Sequence, residues 1–259
     1  PSNTLWDEPA AAPEKLAWRW LKAAARAVGG ILLLALMALA ALWWWAGTDS
    51  SLTTALDWIG QSQPLSAERA TGSLRAGGHI DRLAWQQNGL YVDARDVRLA
   101  WQPWSLLQGT LKLDRLSAAS VHVNDLRAPA AAPAAGPPAT LGLPLPVVLE
   151  AFSVGELRWS GPAAFAASGI SGRYEFNGLR HQLELLGAQV AGGRYSGRAA
   201  VTARSPLTLE ASLSGALAIP LPDSRASVPL AFRATASGPL TELLVKAELQ
   251  MAAPSAADT

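Results

Sequence analysis

The spacing of apolar positions changes twice along the chain. From Ala27 to Gly47 no residue is charged, and the run AVGGILLLALMALAALWWWAG is 21 residues long. At 1.5 Å per residue this is roughly 31 Å of helix, the hydrocarbon thickness of a bilayer. The run predicts a single transmembrane helix, with Ile31, Leu32, Leu33, Leu34, Leu36, Leu39 and Leu42 as its anchor. Trp43, Trp44 and Trp45 close it, and Lys22 and Arg26 precede it, at the two positions that suit a membrane interface. Lys15, Arg19, Lys22 and Arg26 stand before the run, whereas Asp49 and Asp57 follow it with no cation until Arg69. The positive-inside rule therefore expects a cytoplasmic N-terminus and export of everything after Gly47.

Beyond the run, Leu52, Leu56 and Ile59 recur at spacings of four and three. This predicts a short helix over Ser50–Gly60, capped by Ser50 or Thr48 and stopped by Gly60 and Pro64. After Leu65 the period becomes two. Val97, Leu99 and Trp101 alternate with smaller or polar residues, as do Leu111 and Leu113, Val121 and Val123, Leu207–Leu213, Leu230 and Phe232, and Leu243–Leu249. Gly and Pro punctuate these runs at spacings near ten residues, the pattern of antiparallel strands. Within this region only Trp104–Leu107, between Pro103 and Gly109, reads as a helical turn. Gly72, Gly109, Gly215 and Gly238 each stand two before a Leu, a weak repeat that suggests hairpins stacked as in a solenoid.

These runs divide the chain into six stretches: 1–26 (cytoplasmic), 27–47 (transmembrane), 48–64 (short periplasmic helix and linker), 65–127 (first β-repeats), 128–146 (a Pro/Ala-rich excursion) and 147–259 (further β-repeats, truncated). The first residue is Pro, so the sequence reads as part of a longer chain.

Composition narrows the function. The chain of 259 residues is 16% charged, low for a soluble domain, and it has no Cys. Disulfides, thiolate metal sites and cysteine nucleophiles are thereby excluded. Residues 1–26 hold four cations and three anions, so the other 17 Lys+Arg and 17 Asp+Glu cancel beyond the run. That balance argues against nucleic acid as a partner. His79, His122 and His181 show no metal-ligand spacing, and Gly192–Gly197 lacks the Lys-Ser/Thr of a phosphate loop. Asp93 and Asp96 around Arg95, and Asp114 before Arg115, read as a wet strand face. No constellation supports catalysis and no cofactor is expected.

A resemblance sharpens this. Gly72-Ser-Leu74, Leu83-Ala-Trp85, and then Val97-Arg-Leu-Ala-Trp-Gln-Pro-Trp-Ser-Leu-Leu-Gln-Gly109-Thr-Leu-Lys-Leu113 resemble the N-terminal part of the TamB family, the inner-membrane subunits of the translocation and assembly module. Leu143-Pro-Leu145-Pro followed by Val154-Gly-Glu-Leu157-Arg-Trp159 is similar to that family as well. The resemblance implies an AsmA-like fold: a mainly β chain in which one membrane helix and a short capping helix precede a curled, elongated, half-open antiparallel sheet. It further implies a single-pass inner-membrane protein spanning the periplasm of a Gram-negative bacterium. Its implied roles are phospholipid transport to the outer membrane and outer-membrane protein assembly. Its implied partners are phospholipid, the inner membrane and, through a C-terminal part not in this sequence, an Omp85-type barrel subunit similar to TamA.

A half-open sheet of period-two strands offers a lipid chain an apolar route, since each methylene exposed to water costs about 0.8 kcal/mol. The expected lining is Leu99, Trp101, Leu111, Leu113, Val121, Val123, Leu209, Leu213, Phe232 and Val245. The alternative is an anchored secretion-system or assembly scaffold that binds outer-membrane protein strands at its sheet edge without moving lipid.

Overall fold

The structure is a computed structural model and describes residues 30, 33–127, 140–162, 164–220 and 227–251. Two units divide at Trp45 and Ala46. The first contributes helix α1 (Leu33–Ala46) as far as Trp45, and the helix's Leu33, Leu34, Leu36, Leu39 and Leu42 are exposed, as is Trp44. Among the described residues no single helix is long and apolar enough to cross a membrane; α1 and the next helix pass that test only together, with a break between them. Ile31, Leu32, Lys22 and Arg26 lie outside the described residues.

The second unit opens with helix α2 (Ser51–Ser62), two residues longer at its C-terminal end than Ser50–Gly60. Of the two expected caps, Ser50 does not operate as one. The Ser50 side chain caps nothing, and the buried Ser51 hydroxyl donates instead to the carbonyls of Thr48 (2.8 Å) and Ala46 (3.0 Å). It also accepts from the Leu74 N–H at 3.0 Å, tying the helix start to the turn after the first strand.

One sheet of eleven strands follows, in sequence order: β1 (Leu65–Ser73), β2 (Gly77–Gln87), β3 (Leu90–Gln102), β4 (Leu111–Asp125), β5 (Val147–Ser160), β6 (Phe165–Phe176), β7 (Arg180–Val190), β8 (Gly193–Thr202), β9 (Thr208–Pro220), β10 (Ser227–Pro239) and β11 (Leu244–Met251). The sheet is open. Its order never returns to β1. The 3₁₀ turn Pro103–Gln108 joins β3 to β4 and ends on Gly109, whose φ of 72° is in the left-handed region that glycine enters without strain.

α2 packs on β1, the first edge. Leu52 is buried, and its Cδ2 lies 2.6 Å from where a Cβ on Gly78 would sit. The Thr53 hydroxyl donates to the Ala70 carbonyl at 3.0 Å. Covering an edge in this way removes a template for unwanted pairing.

Two sequence expectations need correction. The sheet is not antiparallel throughout, because β4 and β5 run parallel, Leu111 opposite Val147 and Asn124 opposite Ser160. Parallel neighbours need a connection that returns to the starting end, and the chain between Asp125 and Val147 makes that return. The glycine repeat is also not a structural repeat. Gly72 lies near the end of β1, Gly109 after the 3₁₀ turn, Gly215 inside β9 and Gly238 near the end of β10.

Candidate functional site

Residues directly opposite in neighbouring strands share a face of the sheet. One row can be followed without interruption: Trp101, Leu113, Leu149, Tyr174, Leu183, Ala199, Ala211, Ala236, Val245. A second runs Leu99, Leu116, Phe152, Gly172, Leu185, Gly197, Leu213, Ala234, Ala247. Nine strands therefore present apolar side chains, small ones included, to the same side.

Toward the other end of the strands the apolar parity changes. In β4 the apolar residues are Leu116 and Ala118, then Val121 and Val123. In β5 they are Phe152 and Val154, then Leu157 and Trp159. The change falls on one transverse seam. Arg69, Asp96 and Gly169 have φ of 49°, 50° and 58°, and Gly155 sits so that a Cβ would meet the Ala119 carbonyl oxygen at 2.5 Å. A left-handed residue interrupts the pleat, and alternation resumes in the opposite phase.

The regular strand β8 shows that the same face continues across the seam. Val190 and Ala188 lie opposite Gly193 and Tyr195, Leu185 opposite Gly197, and β8 pairs with β9 without a shift from Arg194 to Val201. Val190 in turn lies opposite Ala167, and that row runs back through Leu157, Val121 and Ala94 to Leu83. The row Trp85, Val92, Val123, Trp159, Phe165 lies beyond it, with the Trp159 and Phe165 rings stacked at 6.2 Å.

The structure thus places all ten expected lining residues on one face, although on different rows. Leu99 and Leu213 share one row; Trp101, Leu113 and Val245 share another. Leu111 and Leu209 meet on a third through Val147, Phe176, His181 and Val201, Val121 and Val123 stand beyond the seam, and Phe232 pairs with Gly215. Sequence reasoning missed Leu116, Phe152, Leu149, Leu183, Leu185 and Trp159, which fill the same rows. The signal available was the change of apolar parity within β4 and β5, although the residues that make the seam carry no mark of it.

Between β7 and β11 the small residues Ala199, Ala211, Ala234 and Ala236 leave a depression of about 240 Å³, walled by Leu183, Leu185, Leu213 and Val245. A larger hollow, about 940 Å³, has Glu150, Arg173, Glu175, Arg180, Glu184, Arg198 and Glu210 at its border. Its charges pair locally, Lys112 with Glu150 and Arg173 with Glu184 at 2.7 Å each, and Arg180 with Glu210. Both hollows touch the first row, the larger through Leu149, Tyr174, Leu183, Ala199, Ala211 and Ala236; the smaller one is the apolar one.

The opposite face is polar. On it Asp93 is buried and accepts two bonds from Arg82 (Nε 2.9 Å, Nη2 2.7 Å) and one from the Tyr91 hydroxyl at 3.3 Å. Arg82 also donates to Glu68 at 3.1 Å. The Arg82 hydrogen bonds hold the Asp93 carboxyl below the usual carboxylate range. At the seam His79 contacts Asp96 (2.7 Å) and Asp81 (3.6 Å). Among the described residues no group of three or more His, Asp or Glu could hold a metal ion.

An open sheet with one apolar face continued across nine of its strands, and with its first edge covered by a helix, defines a class of β-groove proteins rather than closed barrels or sandwiches. Residues 38–160 match the family model described as TamB, N-terminal domain. That stretch, from within α1 to the end of β5, is similar to a TamB N-terminal domain, and β6–β11 extend its sheet. No curated protein and no solved structure gives a significant match to the chain.

Proposed function

We propose that the chain is the inner-membrane-anchored, periplasmic beginning of a bridge whose apolar sheet face carries phospholipid acyl chains toward the outer membrane. The observation that carries this reading is the unbroken apolar row from Trp101 on β3 to Val245 on β11. Strands stack about 4.8 Å apart, so nine strands offer roughly 40 Å of apolar path. Each acyl methylene kept from water along it saves about 0.8 kcal/mol. The route needs no chemistry, and the chain acts as a conduit rather than an enzyme. Residues 27–47 hold it in the membrane with the N-terminus cytoplasmic. Like other members of the TamB family, it serves outer-membrane biogenesis with an Omp85-type barrel subunit as partner.

A second reading rests on β11. Its Leu244, Val245, Leu249 and Met251 are all at least 60% exposed, and among the described residues no strand pairs with its outer edge. Such an edge can accept a strand of an unfolded outer-membrane protein. A photo-crosslinking amino acid at Leu213, and separately at Ser212 on the opposite face, decides between the two in living cells. Phospholipid adducts at Leu213 alone support the conduit. Outer-membrane protein adducts without lipid at either position overturn it in favour of the scaffold.

A further inference from the structure

The two ends of the strands are chemically unlike. At one end, the Arg75 N–H in the turn between β1 and β2 donates at 3.0 Å to the carbonyl of Ala46, the first residue of the second unit. On the same rim lie the 3₁₀ turn Pro103–Gln108 and the stretch 140–146, joined where the Leu111 N–H donates to the Pro146 carbonyl at 2.8 Å. Trp104 and Leu107 are 60% and 78% exposed there, and Leu143 and Leu145, in the stretch that leads to Pro146, are also exposed. No residue is charged between Arg98 and Lys112, or between Arg127 and Glu150. The opposite rim turns on Asn88-Gly89, Gly161-Pro162 and Ala191-Gly192.

The apolar turn is built rather than loose. The buried Ser105 hydroxyl donates to the Gln102 carbonyl at 2.7 Å and accepts from the Lys112 N–H at 3.1 Å, and the Thr110 N–H donates to the Ser105 carbonyl at 3.0 Å. It also projects. Leu99 lies opposite Gly78, so β3 continues three residues beyond that pair, roughly 10 Å.

We propose that the knuckle Trp104–Leu107, with Leu143 and Leu145, docks into the lipid interface of the bilayer that residues 27–47 enter. The occupant follows from position and charge. The rim is fastened at Ala46, where the uncharged run is about to end, and the knuckle stands about two strand spacings away, near 10 Å. Exposed Trp and Leu in a turn that carries no charge from Leu99 to Leu111 suit the boundary of headgroups and acyl chains, where a Trp ring is also favoured. Docking would seat the start of the apolar face on the membrane and leave no aqueous gap for a lipid to cross. This inference rests on the reading of residues 27–47 as a membrane anchor.

The chain has no Cys, so single labels are specific. The full chain is reconstituted in phosphatidylethanolamine/phosphatidylglycerol nanodiscs with an environment-sensitive NBD label at Leu107→Cys, Leu126→Cys or Leu39→Cys. Leu126 is 72% exposed at the opposite rim and serves as the matched comparison. The expected result is blue-shifted emission, quenched by nitroxide-bearing lipid, at positions 39 and 107 but not at 126. Quenching at 39 with position 107 behaving like 126 overturns the docking and leaves the anchor standing. A blue shift at 107 without lipid quenching overturns it in favour of a protein partner. Absence of quenching at 39 overturns the anchor reading, and the docking with it.

Discussion

Leu113 on β4 lies opposite Leu149 on β5, and the two strands run in the same direction. The apolar row passes through this parallel junction unbroken, to Tyr174 on one side and Trp101 on the other. Parallel pairing there brings two segments far apart in sequence into one face, and its condition is a connection long enough to return along β4.

That condition is testable by length. From Asp125 to Val147 the chain must span roughly 46 Å, fourteen strand residues. Its 22 steps reach roughly 73 Å when extended. Deleting residues 129–138 leaves twelve steps and roughly 40 Å, too short. The expected outcome is loss of the β4–β5 junction, seen as rapid amide exchange in β4 and β5. Deleting only four of these residues leaves exchange unchanged.

The seam predicts which glycines resist replacement. A methyl at Gly155 would lie 2.5 Å from the Ala119 carbonyl oxygen, and one at Gly172 would lie 2.7 Å from the Phe152 ring and closer still to the Glu184 carbonyl. Gly155→Ala and Gly172→Ala are each expected to cost about 1–3 kcal/mol. Gly142→Ala, with one contact at 3.3 Å to the Thr140 hydroxyl, is expected to cost far less. Chemical denaturation of the three variants checks this order.

Much of the architecture was legible in the sequence. Period two gave the strands, Pro103 and Gly109 framed the 3₁₀ turn, and Leu52 with Leu56 marked the helix that covers β1. The parallel junction was hidden because pairing direction leaves no mark on a strand's own residues; only the uncharged stretch 128–146 hinted that the chain travels far. The seam was hidden because Arg69 and Asp96 are ordinary exposed strand residues by type, and nothing in their identity announces a positive φ. The lining residues were chosen on one parity, yet β4 needs two. An extra residue, Asp114, lies between the pairs Ala100–Arg115 and Trp101–Leu113, and the seam near Ala119 restores the original phase. Leu111, Leu113, Val121 and Val123 thus share a face while Leu116 between them joins it from the other parity.

The Asp93–Arg82 pair sets an acid limit. Its folded pKa lies below the ordinary value of about 3.9, so the carboxylate adds stability above that value. This stability falls away as pH drops below about 4, through the depressed folded pKa. Melting temperature measured from pH 7 down to pH 2 should decline more steeply in the parent chain than in Asp93→Asn, and the two curves should converge at the acid end. A constant gap between them would contradict the pairing.

Charge placed on the apolar face should block lipid without unfolding the sheet. Leu213 is 37% exposed, so Leu213→Asp is expected to change stability by under about 1 kcal/mol. It removes apolar contact equivalent to about two methylenes, and bound phospholipid recovered with the protein should fall roughly tenfold. Ser212→Asp, on the opposite face, should leave recovery unchanged.

The most direct test follows lipid along the face itself. Photo-crosslinkers are placed one at a time at Trp101, Leu116, Val121, Leu183 and Val245, and at the opposite-face positions Ser117 and His122. A continuous groove predicts phospholipid adducts at all five of the first set, with Leu116 and Val121 both positive although they differ in parity, and none at Ser117 or His122. Adducts at only one of Leu116 and Val121, or none at any of the five, would contradict a continuous lipid path.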